Sequence, residues 1–251
     1  MRTRIILVAL CLLLISAAVS TAAPVRVKVI SLDLTLNAMN AQQVRTALLY
    51  LQPDVLALQE FRDEAAVAGG PGAVESMAKS LRMYYAYEPA YPGADFGSAL
   101  LSRYPLRKAA PLSASAVNKL PGMKADLKVH GATVKLALVR PRNAAEAKYS
   151  ESVVAKLVKE AQAHHFILMA SFDSKSGMDT VKAWGRTGLQ DAAVALRNLQ
   201  ATYPAGMATE RLDYFLVNTR MRPHLKSIGV VKSEKLRSGG EHLPLQLTFL
   251  Y

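Results

Sequence analysis

Two hydrophobic periods alternate along the chain. Val25, Val27 and Val29 are spaced by two, the period of a strand with one buried face. Val44, Ala47, Leu48 and Leu51 have helical spacing, and Val55-Leu56-Ala57-Leu58 is an apolar run suited to a strand buried on both faces. Further strands are predicted at 97–102 and 124–139, the second divided by a turn at His130-Gly131. A helix is expected from about 144 to 163, burying Val153, Val154, Leu157, Val158 and Ala161 on one face. Phe166-Ile167-Leu168-Met169 reads as another buried strand, and strands at 212–217 and 245–249 close the chain. No repeat and no Pro/Gly/Ser-rich linker divides this pattern, so one mixed α/β domain over residues 23–251 is the expectation.

The first 22 residues follow a different logic. Arg2 and Arg4 precede eleven uninterrupted apolar residues, Ile5 to Ile15, and small residues follow from Ser16 to Ala23. Charge, apolar run and small residues in that order mark a secretory signal peptide, and the run is too short to span a bilayer comfortably. Cleavage after Ser20 or Ala22 predicts a secreted or periplasmic protein. It removes Cys11, the single cysteine, and with it any disulfide framework or cysteine-ligated zinc.

Hydrophobic residues make up 51% of the chain and charged residues 20%, which excludes disorder. Lys and Arg number 31 against 19 Asp and Glu, a net +12 that favours anionic partners. Nine basic residues and one acid lie between Leu101 and Arg142, a stretch that is either a solvated strand face or a surface meeting phosphate. The glycines of Gly69-Gly70-Pro71-Gly72 lack the spacing of a phosphate loop, and no nucleotide cofactor is expected. His164-His165 cannot point one way from an extended chain, so a metal pair there is disfavoured. Trp184, Met77 and Met83 read as core, and Tyr84, Tyr85, Tyr87 and Tyr91 as a half-buried strand rather than a base-stacking groove.

Several predicted strands stop on acids, where ligand sites of α/β folds form. The strand at 55–58 runs into Gln59-Glu60, the strand from Phe166 ends on Ser171 and Asp173, and Asp213 sits inside an apolar strand where an unpaired charge would be costly. Glu241-His242 precedes the last strand.

The order of these segments resembles the endonuclease/exonuclease/phosphatase superfamily, the deoxyribonuclease-I-like fold. Pro53-Asp54 to Leu58-Gln59-Glu60 is similar to its P-D-x-x-x-L-Q-E signature, and Gly97 to Pro105 to its G-x-A-I-L-S-R-Y-P segment. Arg211-Leu212-Asp213-Tyr214-Phe215-Leu216-Val217 resembles R-x-D-Y-I-x-V, and Gly240-Glu241-His242-Leu243-Pro244 resembles the S-D-H-x-P ending. The resemblance implies a four-layer α/β/β/α sandwich of two mixed β-sheets and a divalent metal, Mg²⁺ first with Ca²⁺ or Mn²⁺ as options. It implies phosphoester hydrolysis by a monomer acting on nucleic acid, a phospholipid head group or a nucleotide. By position, Glu60 would be a metal ligand, His242 the imidazole at the phosphate and Asp213 its orienting carboxylate.

Four positions depart from the family pattern. Asp33 stands where the resemblance expects a neutral Asn, and Val139-Arg140 where it expects T-H. Ala170-Ser171-Phe172-Asp173 stands in place of G-D-F-N, and Glu241 replaces an Asp. A serine is a far poorer base than the acid it replaces, and arginine exchanges no proton near neutral pH. Two readings follow. Either Asp33, Glu60, Asp173 and Glu241 rebuild a metal site, with catalysis by His242, Asp213 and Asp173 and with Arg140 clamping phosphate. Or catalysis is lost and the chain binds an anion on a hydrolase scaffold.

Overall fold

The computed structural model describes residues 23–34, 41–63, 72–113, 120–231 and 241–251. The predicted signal peptide, 1–22, lies outside them. In the first sheet β1 (Arg26–Asp33) runs parallel to β2 (Val55–Arg62) and antiparallel to β12 (Leu245–Leu250). With β3 (Tyr84–Pro89), β4 (Phe96–Ser102) and β11 (Leu225–Val230), the strand order is β11-β12-β1-β2-β4-β3. The second sheet holds β5 (Leu106–Pro111), β6 (Gly122–Val129), β7 (Ala132–Val139), β8 (His165–Ser171), β9 (Gln190–Asp191) and β10 (Asp213–Val217) in the order β5-β6-β7-β8-β10-β9. β7 and β8 are parallel, so both sheets are mixed.

The inner faces form one core. Val27, Val29, Val55, Ala57, Leu247 and Phe249 of the first sheet meet Leu136, Leu138, Ile167, Met169, Phe215 and Val217 of the second, all fully buried. Each such valine, leucine or isoleucine contributes roughly 1.5–3 kcal/mol. On the outer face of the first sheet, Ile30, Leu32, Leu56 and Leu58 pack under α1 (Ala41–Leu51) and α2 (Ala73–Leu81) through Ala47, Leu48, Val74 and Met77. On the outer face of the second, Ala137, Val139, Leu168 and Ala170 pack under α3 (Ala144–Glu160) and α4 (Gly177–Gly185) through Val154, Leu157 and Trp184. Helices, sheet, sheet and helices make the four expected layers.

Local chemistry fixes the helices beside the site. Asn143 caps α3, its Oδ1 accepting from Glu146 N at 2.9 Å while its Nδ2 donates to Glu146 Oε1 at 3.2 Å. Trp184 is fully buried, and its indole N–H donates to Ser150 Oγ at 3.2 Å, tying α4 to α3. Tyr84, Tyr85 and Tyr87 lie on the edge strand β3, Tyr84 and Tyr85 exposed and Tyr87 half-buried. His165 directs Nδ1 at the Tyr251 hydroxyl, 2.5 Å away.

The hydrophobic pattern missed β5, β9 and β11. β5 and β11 are edge strands whose side chains are exposed or half-buried apart from Ile228, so they carry little alternation to read. The helix predicted to 163 ends at Glu160, where Ala161 donates back to Leu157 and Val158.

Candidate active site

The alternation that buries the core also aims the site. On β1 the inward positions are Val27, Val29, Ser31 and then Asp33; on β8 they are Ile167, Met169 and then Ser171; on β10, Asp213, Phe215 and Val217. Leu136 and Leu138 lead on β7 to Arg140, the first residue past the strand. Four polar side chains therefore continue the inner-face register at one end of the sandwich, where Asp213 also pairs with Ser171 across the ladder. Glu60 needs a further device, because strict alternation would send it to the helix side with Leu56 and Leu58. Its φ is +55°, and the β2–β4 register shifts between Leu58 and Phe61, so a bulge re-aims the carboxylate. A left-handed non-glycine residue costs roughly 1–2 kcal/mol.

At the centre is a buried guanidinium, with Arg140 only 4% exposed. Its Nε donates to Asp33 Oδ2 at 2.7 Å, Nη2 to Asp173 Oδ1 at 2.6 Å and Nη1 to Asp173 Oδ2 at 3.3 Å; Glu60 Oε1 lies 3.9 Å from Nη1. Arg142, two residues on, clamps Glu60 from the other side through Nε to Oε1 at 3.2 Å and Nη2 to Oε2 at 2.9 Å. The Arg142 guanidinium lies 4.6 Å from the Phe96 ring centroid and 5.7 Å from that of Tyr91, a cation–π setting. Tyr91 donates to Glu146, which also accepts from the Arg142 backbone N–H. Ser171, fully buried, donates its hydroxyl to Asp33 Oδ2 at 2.5 Å. Asp33 Oδ1 is buried with no hydrogen-bond partner among the described residues.

Beside this cluster, His242 Nδ1 donates to Asp213 Oδ2 at 2.8 Å, and both residues are buried. Burial alone would lower the imidazole pKa. The charge and hydrogen bond of Asp213, with the charge of Asp33, outweigh it and push the value up to about 9. The imidazole is therefore protonated at neutral pH. Thr202 Oγ1 accepts from the backbone N–H of Leu212 and of Asp213, and the Tyr203 ring packs 5.1 Å from the imidazole. Asp33, Asp213 and His242 each offer a ligand atom within 4.8 Å of the others, an acid–histidine cluster among the described residues.

This geometry now meets the comparisons. The profile of the Endonuclease/Exonuclease/phosphatase family matches residues 34–233. The chain belongs to that family. No curated protein matches the sequence significantly. Among solved structures, an endonuclease/exonuclease/phosphatase family protein from Bacteroides thetaiotaomicron aligns at 16% identity over 91% of this chain and 98% of its own, with a TM-score of 0.69. A mannosyl-6-phosphatase from the same organism aligns at 16% identity over 90% and 99%, TM-score 0.69. A Neisseria 3′ phosphatase bound to a product DNA hairpin aligns at 18% identity over 89% and 99%, TM-score 0.64. At these identities the likeness shows the fold of the Endonuclease/Exonuclease/phosphatase family and nothing finer.

Enzymes of the family are generally dependent on a divalent metal, so the donor set bears directly on whether one fits. Glu60 gives both oxygens to Arg142, Asp173 both to Arg140, and Asp33 Oδ2 accepts from Arg140 and Ser171. Asp213 Oδ2 holds His242, whose protonated ring has no free lone pair to offer at neutral pH. As they stand, these residues do not fit a divalent ion. Glu241, expected as a ligand, is exposed and lies outside the acid–histidine cluster. Arg140, expected to clamp phosphate, directs its guanidinium at Asp33 and Asp173 instead. Asp33, Glu60, Asp173, Asp213 and His242 do come together, joined by Ser171. Arg142 was visible in the sequence only as one of nine basic residues; the i, i+2 spacing of Arg140 and Arg142 beyond a strand end was the available signal.

Proposed function

We propose that the chain is a secreted or periplasmic protein, its first 22 residues removed, that binds a phosphate-containing anion at this end of the sandwich without appreciable hydrolysis. The carrying observation is the Ser171 hydroxyl, held as a donor to Asp33 at the centre of the site. Hydrolysis needs a group that takes a proton from water. Ser171 is a donor, Arg140 keeps its proton, His242 is already protonated and Asp173 is paired through both oxygens. Donors for an anion remain. His242 Nε2 has no protein acceptor among the described residues, and the Arg142 side chain is 26% exposed beside Phe96. Solved relatives named for a mannosyl phosphate and for DNA suggest the ligand class, a phosphoester of a sugar or nucleotide.

The test is binding of a labelled single-stranded oligonucleotide and of mannose 6-phosphate in EDTA, alongside turnover of bis(p-nitrophenyl) phosphate with and without Mg²⁺. Saturable binding that weakens as salt rises, with no turnover, is expected. Turnover that needs Mg²⁺ would overturn the proposal. A second reading has one observation in its favour. Asp33 keeps an orphan oxygen, Oδ1, and offers a carboxylate oxygen within 4.8 Å of His242, a base–acid pair for slow metal-free hydrolysis. Turnover in EDTA that Asp33→Asn abolishes would select it.

A further inference from the structure

We infer that Arg140 and Arg142 together stand in for a divalent cation, and that a metal site lies latent beneath them. The inference rests on reading this end of the sandwich as a phosphate site. Four carboxylates converge here, Asp33, Glu60, Asp173 and Asp213, and one of them is neutralised by His242. The other three are gathered by two guanidiniums, whose summed charge of +2 equals that of Mg²⁺ or Ca²⁺. The guanidinium of Arg140 reaches three carboxylates at 2.7, 2.6 and 3.9 Å, a gathering of hard oxygens about one centre as a divalent ion would impose. The Arg140 side chain is 5% exposed and those of Asp33 and Glu60 are as buried, which sets these contacts apart from the usual surface ion pair, whereas Asp173 is 52% exposed. The buried Asp33 Oδ1 makes the point from the other side, because one carboxylate oxygen at the centre has no hydrogen-bond partner among the described residues. Arginine also fixes the charge permanently, since it neither dissociates nor deprotonates.

The substitution has a chemical consequence. A guanidinium presents planar N–H donors and holds an anion, but it carries no water whose proton it could release. Binding and water activation, which a metal couples, are thereby separated.

The test reads metal binding with no phosphate ligand present, so its outcome is independent of the binding assay above. Mn²⁺ is titrated into the whole chain by electron paramagnetic resonance, and thermal unfolding is followed in EDTA and in millimolar Ca²⁺. The wild type should bind no Mn²⁺ at this site and unfold at the same temperature in both. Arg140→Ala should lose stability in EDTA. It should bind Mn²⁺ at least about tenfold more tightly than wild type and gain about 5 °C or more in saturating Ca²⁺. Arg140→Lys keeps a cation and should behave as wild type. If Arg140→Ala does not fold without metal, Asp33→Asn/Arg140→Ala removes one buried charge of each sign and should bind Mn²⁺ from Glu60 and Asp173. Wild type binding Mn²⁺ as tightly as the variants would overturn the inference. So would a folded double variant with no gain in affinity.

Discussion

Replacing Asp213 with Asn should erase a pH dependence that the wild type must show. The wild-type imidazole of His242 is lifted from its ordinary 6.5 to about 9 by a buried carboxylate. Because the folded pKa is the higher one, the stabilisation is fully present below 6.5 and is lost as pH rises through 9. The difference corresponds to roughly 3 kcal/mol, with no discount for solvent because both groups are buried. Wild-type stability from urea unfolding should therefore fall by about 3 kcal/mol between pH 6 and 9.5 on account of this group. In Asp213→Asn the amide still accepts from Nδ1, but burial now dominates and the ring stays neutral at pH 7. The difference between the two curves isolates the dyad, since other titrating groups contribute to both. An NMR titration of the His242 ring protons reads the same quantity directly. Parallel stability curves, or a wild-type ring titrating at or below 6.5, would refute the reasoning.

Three further outcomes follow from particular contacts. Ser171→Asp, which the family pattern suggests would restore a water-polarising acid, should instead destabilise by about 3 kcal/mol, because the new carboxylate faces Asp33 across 2.5 Å; Asp33→Asn in the same chain should recover most of that loss in urea melts. Gly97→Ala should cost about 3 kcal/mol or more, since its Cβ would lie 2.2 Å from the Glu88 carbonyl oxygen and 2.7 Å from Pro89 Cα; a neutral effect in thermal unfolding would show that β3 yields freely. Arg142→Ala should weaken oligonucleotide binding and lower the slope of log affinity against log salt by about one, while an unchanged slope would place the anion elsewhere.

Much of the fold was legible because period-two alternation is strong wherever a strand has a buried face. Val27 and Val29, and Leu245 to Phe249, announced themselves this way, while Phe166 to Met169 showed as an unbroken apolar run buried on both faces. β5, with Arg107 and Lys108, and β11, with Lys226 and Ser227, are edge strands shaped by hydrogen bonding rather than burial, and gave no such signal. At the site, the acids at strand ends could be read from position, and the Asp213–His242 pair from the family resemblance. What Arg140 does could not. Its partners Asp33 and Asp173 lie 107 and 33 residues away; the parallel pairing of β7 with β8 brings Asp173 beside it, and the packing of the first sheet on the second brings Asp33. Whether an arginine faces a ligand or a neighbouring acid is a long-range property.

The bulge at Glu60 has an evolutionary consequence. Asp33, Ser171 and Asp213 sit on the beat of the strand, so their identity can change without disturbing how the chain is threaded. Glu60 is off the beat, and its direction depends on one residue held at a φ of +55°. A glycine or asparagine at that position would accept the conformation easily, while a valine or isoleucine would resist it and press the strand back toward regular pairing. Such a substitution also removes the carboxylate itself, so Arg142 loses both of the oxygens it donates to. A single β-branched substitution at position 60 could thus empty this half of the site of its counter-charge while leaving the sandwich intact. Drift in such a lineage would be expected to touch the charge pairs at β1, β8 and β10 before it touched the irregular turn of β2.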